Sequence, residues 1–447
     1  MTAAANGVAA RPAPRRVASA ASLLGRPLSS YYLIIGASAL LIAIGLVMVL
    51  STTSAAQLSV GQPPYALFKK QLLGVAVGLP MMWALSRAPA GLFRALARPA
   101  ILTAAASLVF VLAFGASTNG AERWIKLGPV TVQPSEFAKL ALVLWGADLL
   151  ARKDQLGQLT DWRSLLVPLL PGAAIVVILV KLGHDIGTTF LLLVILLALL
   201  WVIGTPGRLF AGLLALITLA LLLQVITTAY ATSRLTGFLS PAGGPTGPNM
   251  QSIQGKWAIG SGGLFGVGLG NSPSKWGWVP EASNDFIFAI LGEELGLIGT
   301  VSVVLLYGGL AYAGLRVARR VTDPFMRLAA AGVTAWISVQ ALVNMCAVVG
   351  LLPITGVPLP LISDGLSSLL ATMAALGMLL SFARREPGAQ QALAAARPGR
   401  LRRLLHPGGR AAAAPRSRSV ARAPAPRARP KGRSPGPPGD WNMAGPR

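Results

Sequence analysis

Ten stretches of this chain run for about twenty residues with few charges, and nothing else in it limits the possible folds so strongly. Inside hydrocarbon every backbone N–H and C=O must be paired within the protein, so a chain written this way folds as a bundle of membrane-crossing helices. The candidate spans are 31–51, 66–86, 96–115, 134–151, 164–181, 185–203, 208–229, 284–314, 326–349 and 365–383. The expected class is all-α: a polytopic membrane protein of about ten transmembrane helices, with a large extracytoplasmic loop, 230–283, between the seventh and eighth. The first apolar run, Tyr31–Leu50, is long enough to act as an uncleaved anchor.

A formal charge of +25 invites a nucleic-acid reading, but its placement argues against one. Residues 1–30 carry four arginines, and residues 384–447 carry fifteen Lys and Arg against Glu386 and Asp440. These arms, 1–30 and 385–447, are rich in Ala, Pro, Gly and Arg, too poor in bulky apolar residues to fold, and are expected to be disordered in the cytoplasm. Their first expected partner is anionic membrane lipid and their second an acidic protein; stacking aromatics, which single-stranded nucleic acid would need, are nearly absent. Arg87, Arg94, Arg98, Arg152, Lys153, Arg163, Arg208, Arg316, Arg319, Arg320 and Arg327 fall in alternate loops, while 51–64 has no charge. The positive-inside rule then puts both termini in the cytoplasm, as expected for a multi-pass protein of the cell inner membrane. With Cys346 the sole cysteine and His184 and His406 the only histidines, neither a disulfide nor a Cys/His metal centre is available.

The segment from Gln251 to Gly299 is neither an ordinary span nor a solvated tail. It gathers Lys256, Lys275 and Glu281, passes through glycines 260, 262, 263, 266, 268 and 270, and reaches Asp285 where the chain turns apolar. No Gly-Lys-Ser/Thr follows those glycines, so flexible backbone beside a bulky substrate is the better account than a nucleotide loop. Trp257, Trp276 and Trp278 suit a bilayer interface, and part of the segment is expected to lie on the outer membrane surface. Asp285 has two readings: an acid complementing a helix terminus, or a general base whose affinity for its proton is raised by Phe286, Phe288 and Glu281.

Other polar residues carry similar pairs of readings. Glu136 and Lys139, three apart on one helix face, make an internal ion pair or contact the substrate. Asp185 caps the sixth span or lines a site. Glu293 and Glu294 are expected about two turns inside the membrane, where either would need a partner. Arg123 and Lys126, with Lys69, Lys70, Lys256 and Lys275, could read a diphosphate, although Lys69 and Lys70 could equally snorkel to the interface.

Together the motifs GAERWI (120–125), QPSEFAK (133–139), DIGT (185–188), AIGSGGLFGVGLG (258–270), PEASNDFIFAILGEELG (280–296) and GLLPITGVPLPLISDGLSS (350–368) resemble the SEDS family of shape, elongation, division and sporulation proteins, its FtsW branch most. The resemblance covers about residues 31–384. It implies peptidoglycan glycosyl transfer from lipid II at the outer face of the cytoplasmic membrane during cell division. On the matching motifs it puts the catalytic carboxylate at Asp285, functional groups at Glu136 and Lys139, and the acid of the DLGT turn at Asp185. The implied partners are a class B penicillin-binding protein and other division proteins. A divalent cation, Mg or Mn, is the one cofactor considered, as a counterion to the diphosphate. Three positions depart from the family pattern: His184 replaces a proline, Asn284 a threonine, and Asp364-Gly365-Leu366 a Tyr-Gly-Gly. The rival readings are a transporter of lipid II or another amphiphile and a noncatalytic division scaffold; no internal repeat, a common transporter signature, is evident.

Overall fold

The computed structural model describes residues 28–395 except 60, 62, 119–120, 129, 159–161, 228 and 240–249, so most of both arms lies outside the described residues. Among the described residues the apolar stretches are largely helical. In chain order the helices are α1 (Ser29–Ser59), α2 (Ala66–Arg87), α3 (Ala90–Phe114), α4 (Pro134–Gln155), α5 (Trp162–Leu182), α6 (Ile186–Ile203), α7 (Gly207–Thr227), α8 (Ala229–Leu239), α9 (Met250–Gly262), α10 (Ile287–Arg320), α11 (Pro324–Val348), α12 (Leu366–Ala383) and α13 (Ala389–Ala395). Six of them, α1, α3, α6, α10, α11 and α12, are both long and apolar enough to cross a membrane. The protein is thus a multi-pass, mainly helical membrane protein. Helices α5 and α7 hold shorter apolar runs, and α2 and α4 are interrupted by Lys69, Lys70, Glu136, Lys139 and Asp148.

One element is not expected from the sequence. Residues between α3 and α4 form a three-stranded antiparallel sheet, β1 (Ala116–Thr118), β2 (Ala121–Leu127) and β3 (Val130–Val132). Ile125 stands opposite Val132 and Lys126 opposite Thr131. The strands are short and carry little alternation of apolar and polar residues, which hid them.

The core is densest around α4, α11 and α12, whose side chains are buried on nearly every face. Small residues permit this: a methyl group added at Gly314 of α10 would lie 2.1 Å from the Thr334 hydroxyl of α11. Asp323 starts α11 by accepting the Met326 N–H at 3.1 Å, and its carboxylate also takes Arg94 at 3.0 Å. The ion pair is partly exposed, so the cap dominates. Asp323→Ala is expected to cost about 1–2 kcal/mol and Asp323→Asn a few tenths, read as thermal midpoints in detergent.

The glycine-rich segment has a different role from the mobility expected of it. Helix α10 breaks at Gly296 (φ 66°, ψ −162°), and the segment supplies the backbone partners that the break would leave open. Val267 and Gly268 N–H donate to the Glu293 and Glu294 carbonyls at 2.9 and 3.1 Å, and Leu297 and Ile298 N–H donate to Gly263 and Leu264 carbonyls at 2.9 and 3.3 Å. So close an approach needs glycine: a Cβ at Gly262 would lie 2.0 Å from the Gly292 carbonyl, and one at Gly266 2.1 Å from that of Glu294. Gly262 and Gly266 thus serve close packing that re-satisfies a broken helix.

Candidate active site

Asp285 stands two residues before α10, in a turn-rich stretch entered through Glu281 in a left-handed conformation (φ 54°). Three contacts tie this stretch to the loop 350–364. The Asn344 side-chain amide on α11 donates to the Asp285 and Val357 carbonyls, both at 2.8 Å. The Ser363 hydroxyl donates to the Asn284 carbonyl at 2.7 Å, and Asp364 N–H to the Ser283 carbonyl at 2.9 Å. The backbone around Asp285 is therefore held firmly, while the carboxylate is not: Asp285 is 8% exposed and its Oδ1 has no hydrogen-bond partner among the described residues. Nor does any side chain cap the start of α10, so Asp285 is not spent on the helix terminus.

That carboxylate faces a cavity of about 1440 Å³, larger than the roughly 300–1,000 Å³ typical of small-molecule sites. Burial, with Glu281 adding to it, pushes the Asp285 carboxyl up to about 7; Arg234 and Arg123 pull against the shift. Arg234, on α8, donates to the Ile354 carbonyl at 3.1 Å. A Cβ on Gly356 (φ 69°) would lie 3.4 Å from both Arg234 Nη1 and Asp285 Oδ2, so the absent side chain there leaves a slot between guanidinium and carboxylate. Apolar Ile178, Leu182, Leu222 and Leu235 complete part of the wall. The arrangement suits a large amphiphile with a negatively charged group.

The other predicted residues divide between the cavity and its supports. Arg123 and Lys126 of β2 line it, with Glu136, Asp185 and Glu281. Arg123 Nη2 donates to the carbonyl of His184, which has a positive φ, fastening the sheet to the α5–α6 turn. Asp185 fills both of its roles: it caps α6 by accepting Thr188 N–H at 3.1 Å, and it takes Gln133 Nε2 at 3.0 Å and Ser135 Oγ at 3.1 Å at the cavity wall. Glu136 accepts from Lys139 at 2.8 Å, Lys139 also donates to Gln340 at 3.0 Å, and Gln340 donates to the Pro358 carbonyl at 2.8 Å. Glu136 Oε2 is buried without a partner among the described residues.

Lys256 and Lys275 lie outside the cavity lining. Lys256 is exposed on α9. Lys275 is buried and braces Glu294 at 3.3 Å, Ser51 of α1 at 3.1 Å and the Gly270 carbonyl at 2.6 Å, while Ser51 donates to Glu294 at 2.6 Å. Glu293 accepts Ser261, Ser274 and Ser272 hydroxyls. Both glutamates thus have partners and fix the glycine-rich segment to α10. Lys69 and Lys70 are exposed on α2. Burial pushes the Asp364 carboxyl up to about 6, with Lys70 opposing and Glu281 reinforcing the shift.

Sequence reasoning missed Arg234, Gly356 and Asn344. Arg234 carried a signal, a lone cation in an otherwise uncharged stretch just after an apolar helix; Gly356 and Asn344 carried none without the fold. Among the described residues no group of three or more His, Cys, Asp or Glu is arranged to hold a metal ion.

A large cavity lined by a buried, unpartnered carboxylate and several cations suits an anionic amphiphile, and comparison with known proteins narrows the class. The family described as cell cycle proteins, of FtsW, RodA and SpoVE, matches residues 31–387, and the chain belongs to that family. A Mycobacterium tuberculosis protein named probable peptidoglycan glycosyltransferase FtsW is 39% identical over 384 residues, covering 86% of this chain and 73% of its own. Stage V sporulation protein E of Bacillus subtilis is 34% identical over 349 residues, covering 77% of this chain and 94% of its own. Among solved structures, one from a peptidoglycan synthase complex that coordinates polymerization and crosslinking aligns with a TM-score of 0.64 at 28% identity, over 79% of this chain and 97% of its own. Thermus thermophilus rod shape determining protein RodA aligns at 0.57 and 29% identity, over 79% and 96%.

Proposed function

We infer that this protein is a peptidoglycan glycosyltransferase, polymerising lipid II into glycan strands at the outer face of the cytoplasmic membrane during cell division, with Asp285 as general base. Relatives bearing that activity in their names support the reaction. The single observation that carries the mechanism is the unpartnered, buried Asp285 Oδ1 beside a cavity whose cations flank it.

The carboxylate takes the proton from the 4-hydroxyl of the acceptor sugar as that oxygen bonds to the donor's anomeric carbon. The bond from that carbon to the diphosphate breaks, and polyprenyl diphosphate leaves with the electron pair, inverting the centre. Such a leaving group needs charge stabilisation rather than protonation, so one carboxylate suffices where glycosidases use two. Of the cations lining the cavity, Arg123, Lys126, Lys181 and Arg234, the two arginines act on Asp285 and would hold it nearest the base. No step is routed through Mg or Mn, which would enter only as a counterion on the diphosphate.

The proposal extends to ten spans with both termini in the cytoplasm of an inner-membrane protein, and to a class B penicillin-binding protein that cross-links the product. Purified full-length protein is expected to polymerise lipid II with kcat/KM climbing about tenfold per pH unit below 7 and levelling above about 8, because only ionised Asp285 accepts the proton. A profile flat from pH 5.5 to 8 would show that burial does not hold the carboxyl of the base near 7.

A further inference from the structure

The motif departure at Asp364 is not absorbed by the reaction above. Asp364 lines the same cavity as Asp285, and its backbone N–H is held by the Ser283 carbonyl at 2.9 Å, which fixes the two acids relative to each other. Its neighbour Gly365 is tied to Gln71 of α2 at 3.5 Å, and Ser363 to the same side chain at 3.3 Å. The Asp364 carboxylate itself makes no hydrogen bond or ion pair among the described residues. It is therefore a half-buried acceptor, mounted on a braced turn and presented to substrate space.

The charges around the two acids differ in kind. Asp285 is acted on by Glu281 and Asp185 as well as by Arg234 and Arg123. Asp364 is acted on by Lys70 and Glu281. Asp285 thus stands at a border, with Arg234 across the Gly356 slot and Asp364 on the turn bonded to Ser283, two residues before it. An ionised carboxylate accepts hydrogen bonds only, so it binds hydroxyl and amide N–H groups and repels phosphate. The unpartnered Asp285 Oδ1 at the border is a second, independent sign that this part of the cavity awaits a hydrogen-bond donor.

We propose that Asp364 is a specificity-determining residue that seats the uncharged, hydroxyl- and acetamide-bearing end of the acceptor sugar, so that the cavity orients its two substrates. The donor's diphosphate goes to the Arg123 and Arg234 flank and the acceptor's hydroxyl arrives at Asp285 from the Asp364 flank. This rests on the glycosyl-transfer reading and adds direction to it.

The test uses full-length protein and single-turnover coupling. The donor is a lipid II epimerised at C4 of its terminal sugar, which can donate but not accept, and the acceptor is ordinary lipid II. Asp364→Ala is expected to raise the half-saturating acceptor concentration about tenfold, the size of a lost hydrogen bond to a charged group, with the maximal rate and the donor dependence within about twofold of wild type. Asp364→Glu, keeping the acceptor group, should recover most of the affinity. Unchanged acceptor dependence in Asp364→Ala, or a loss falling on the donor or on the maximal rate instead, overturns the proposal. Should the Ala protein fail to elute as a monodisperse species, Asp364→Leu, of similar size and without an acceptor, is judged by the same criteria. A wild type that forms no glycan bond overturns the glycosyl-transfer reading itself.

Discussion

Asp285→Asn is expected to lower the rate of lipid II polymerisation between about a hundredfold and ten-thousandfold, the range over which positioned bases contribute, while making the folded protein more stable. The two effects have one cause. The native fold holds the Asp285 carboxyl near 7 against an ordinary value of 3.8, so the unfolded chain ionises first as pH rises. A group raised in this way gives its full stability below about pH 4 and loses it progressively until the native carboxyl also ionises near 7. At pH 8 the wild type then carries a cost of up to about 4 kcal/mol that the amide does not share. Thermal midpoints in detergent should coincide at pH 4 and separate in favour of Asp285→Asn at pH 8. A variant that inserts, keeps the wild-type midpoint at pH 8 and still polymerises lipid II would show that Asp285 is neither strained by burial nor the base.

The parts of this site that were legible in the sequence share one property: their chemistry is local. Asp285 between an acidic turn and two phenylalanines, Glu136 and Lys139 three apart on a helix, and Asp185 ahead of Ile-Gly-Thr-Thr each carry their neighbours with them along the chain. The helices were legible for the same reason, since about twenty apolar residues have few other folds open to them. Charges whose partners come from distant segments were not. Lys275 has the composition of a substrate-binding cation, yet it is consumed by Ser51, 224 residues away, and by Glu294. Arg234 reaches the cavity only because α8 turns back towards the loop 350–364, to which it is bonded 120 residues on. The glycines of 260–270 look like mobility in one dimension, and the close packing of Gly262 and Gly266 shows only when the break at Gly296 is set against them.

The Glu136–Lys139 pair shows how support and chemistry meet, and its disruption should give the largest loss of stability at the site. Lys139 is fully buried, held at 2.8 Å by Glu136 and at 3.0 Å by Gln340, with its ammonium 5.0 Å from the Trp336 ring centroid. Lys139→Met keeps the length of the side chain but strands the Glu136 carboxylate in an apolar surround, and removing one member of a buried pair costs about 3–5 kcal/mol. Replacing both, as Glu136→Gln with Lys139→Met, leaves no buried charge and should recover most of that loss. Activity should not follow stability. Gln340 takes its position from Lys139 and Trp336 and in turn holds the Pro358 carbonyl, two residues past Gly356 and one past Val357, which shares Asn344 with Asp285. Loosening that chain shifts the slot beside Asp285, and the Glu136 carboxylate, buried at the cavity wall, is lost in the double variant. The double variant is therefore expected to fold near the wild-type midpoint and to polymerise at least tenfold more slowly, each 1.4 kcal/mol of lost transition-state stabilisation being a factor of about ten. If stability and polymerisation recovered together, the pair would be a strut between α4 and α11 and nothing more.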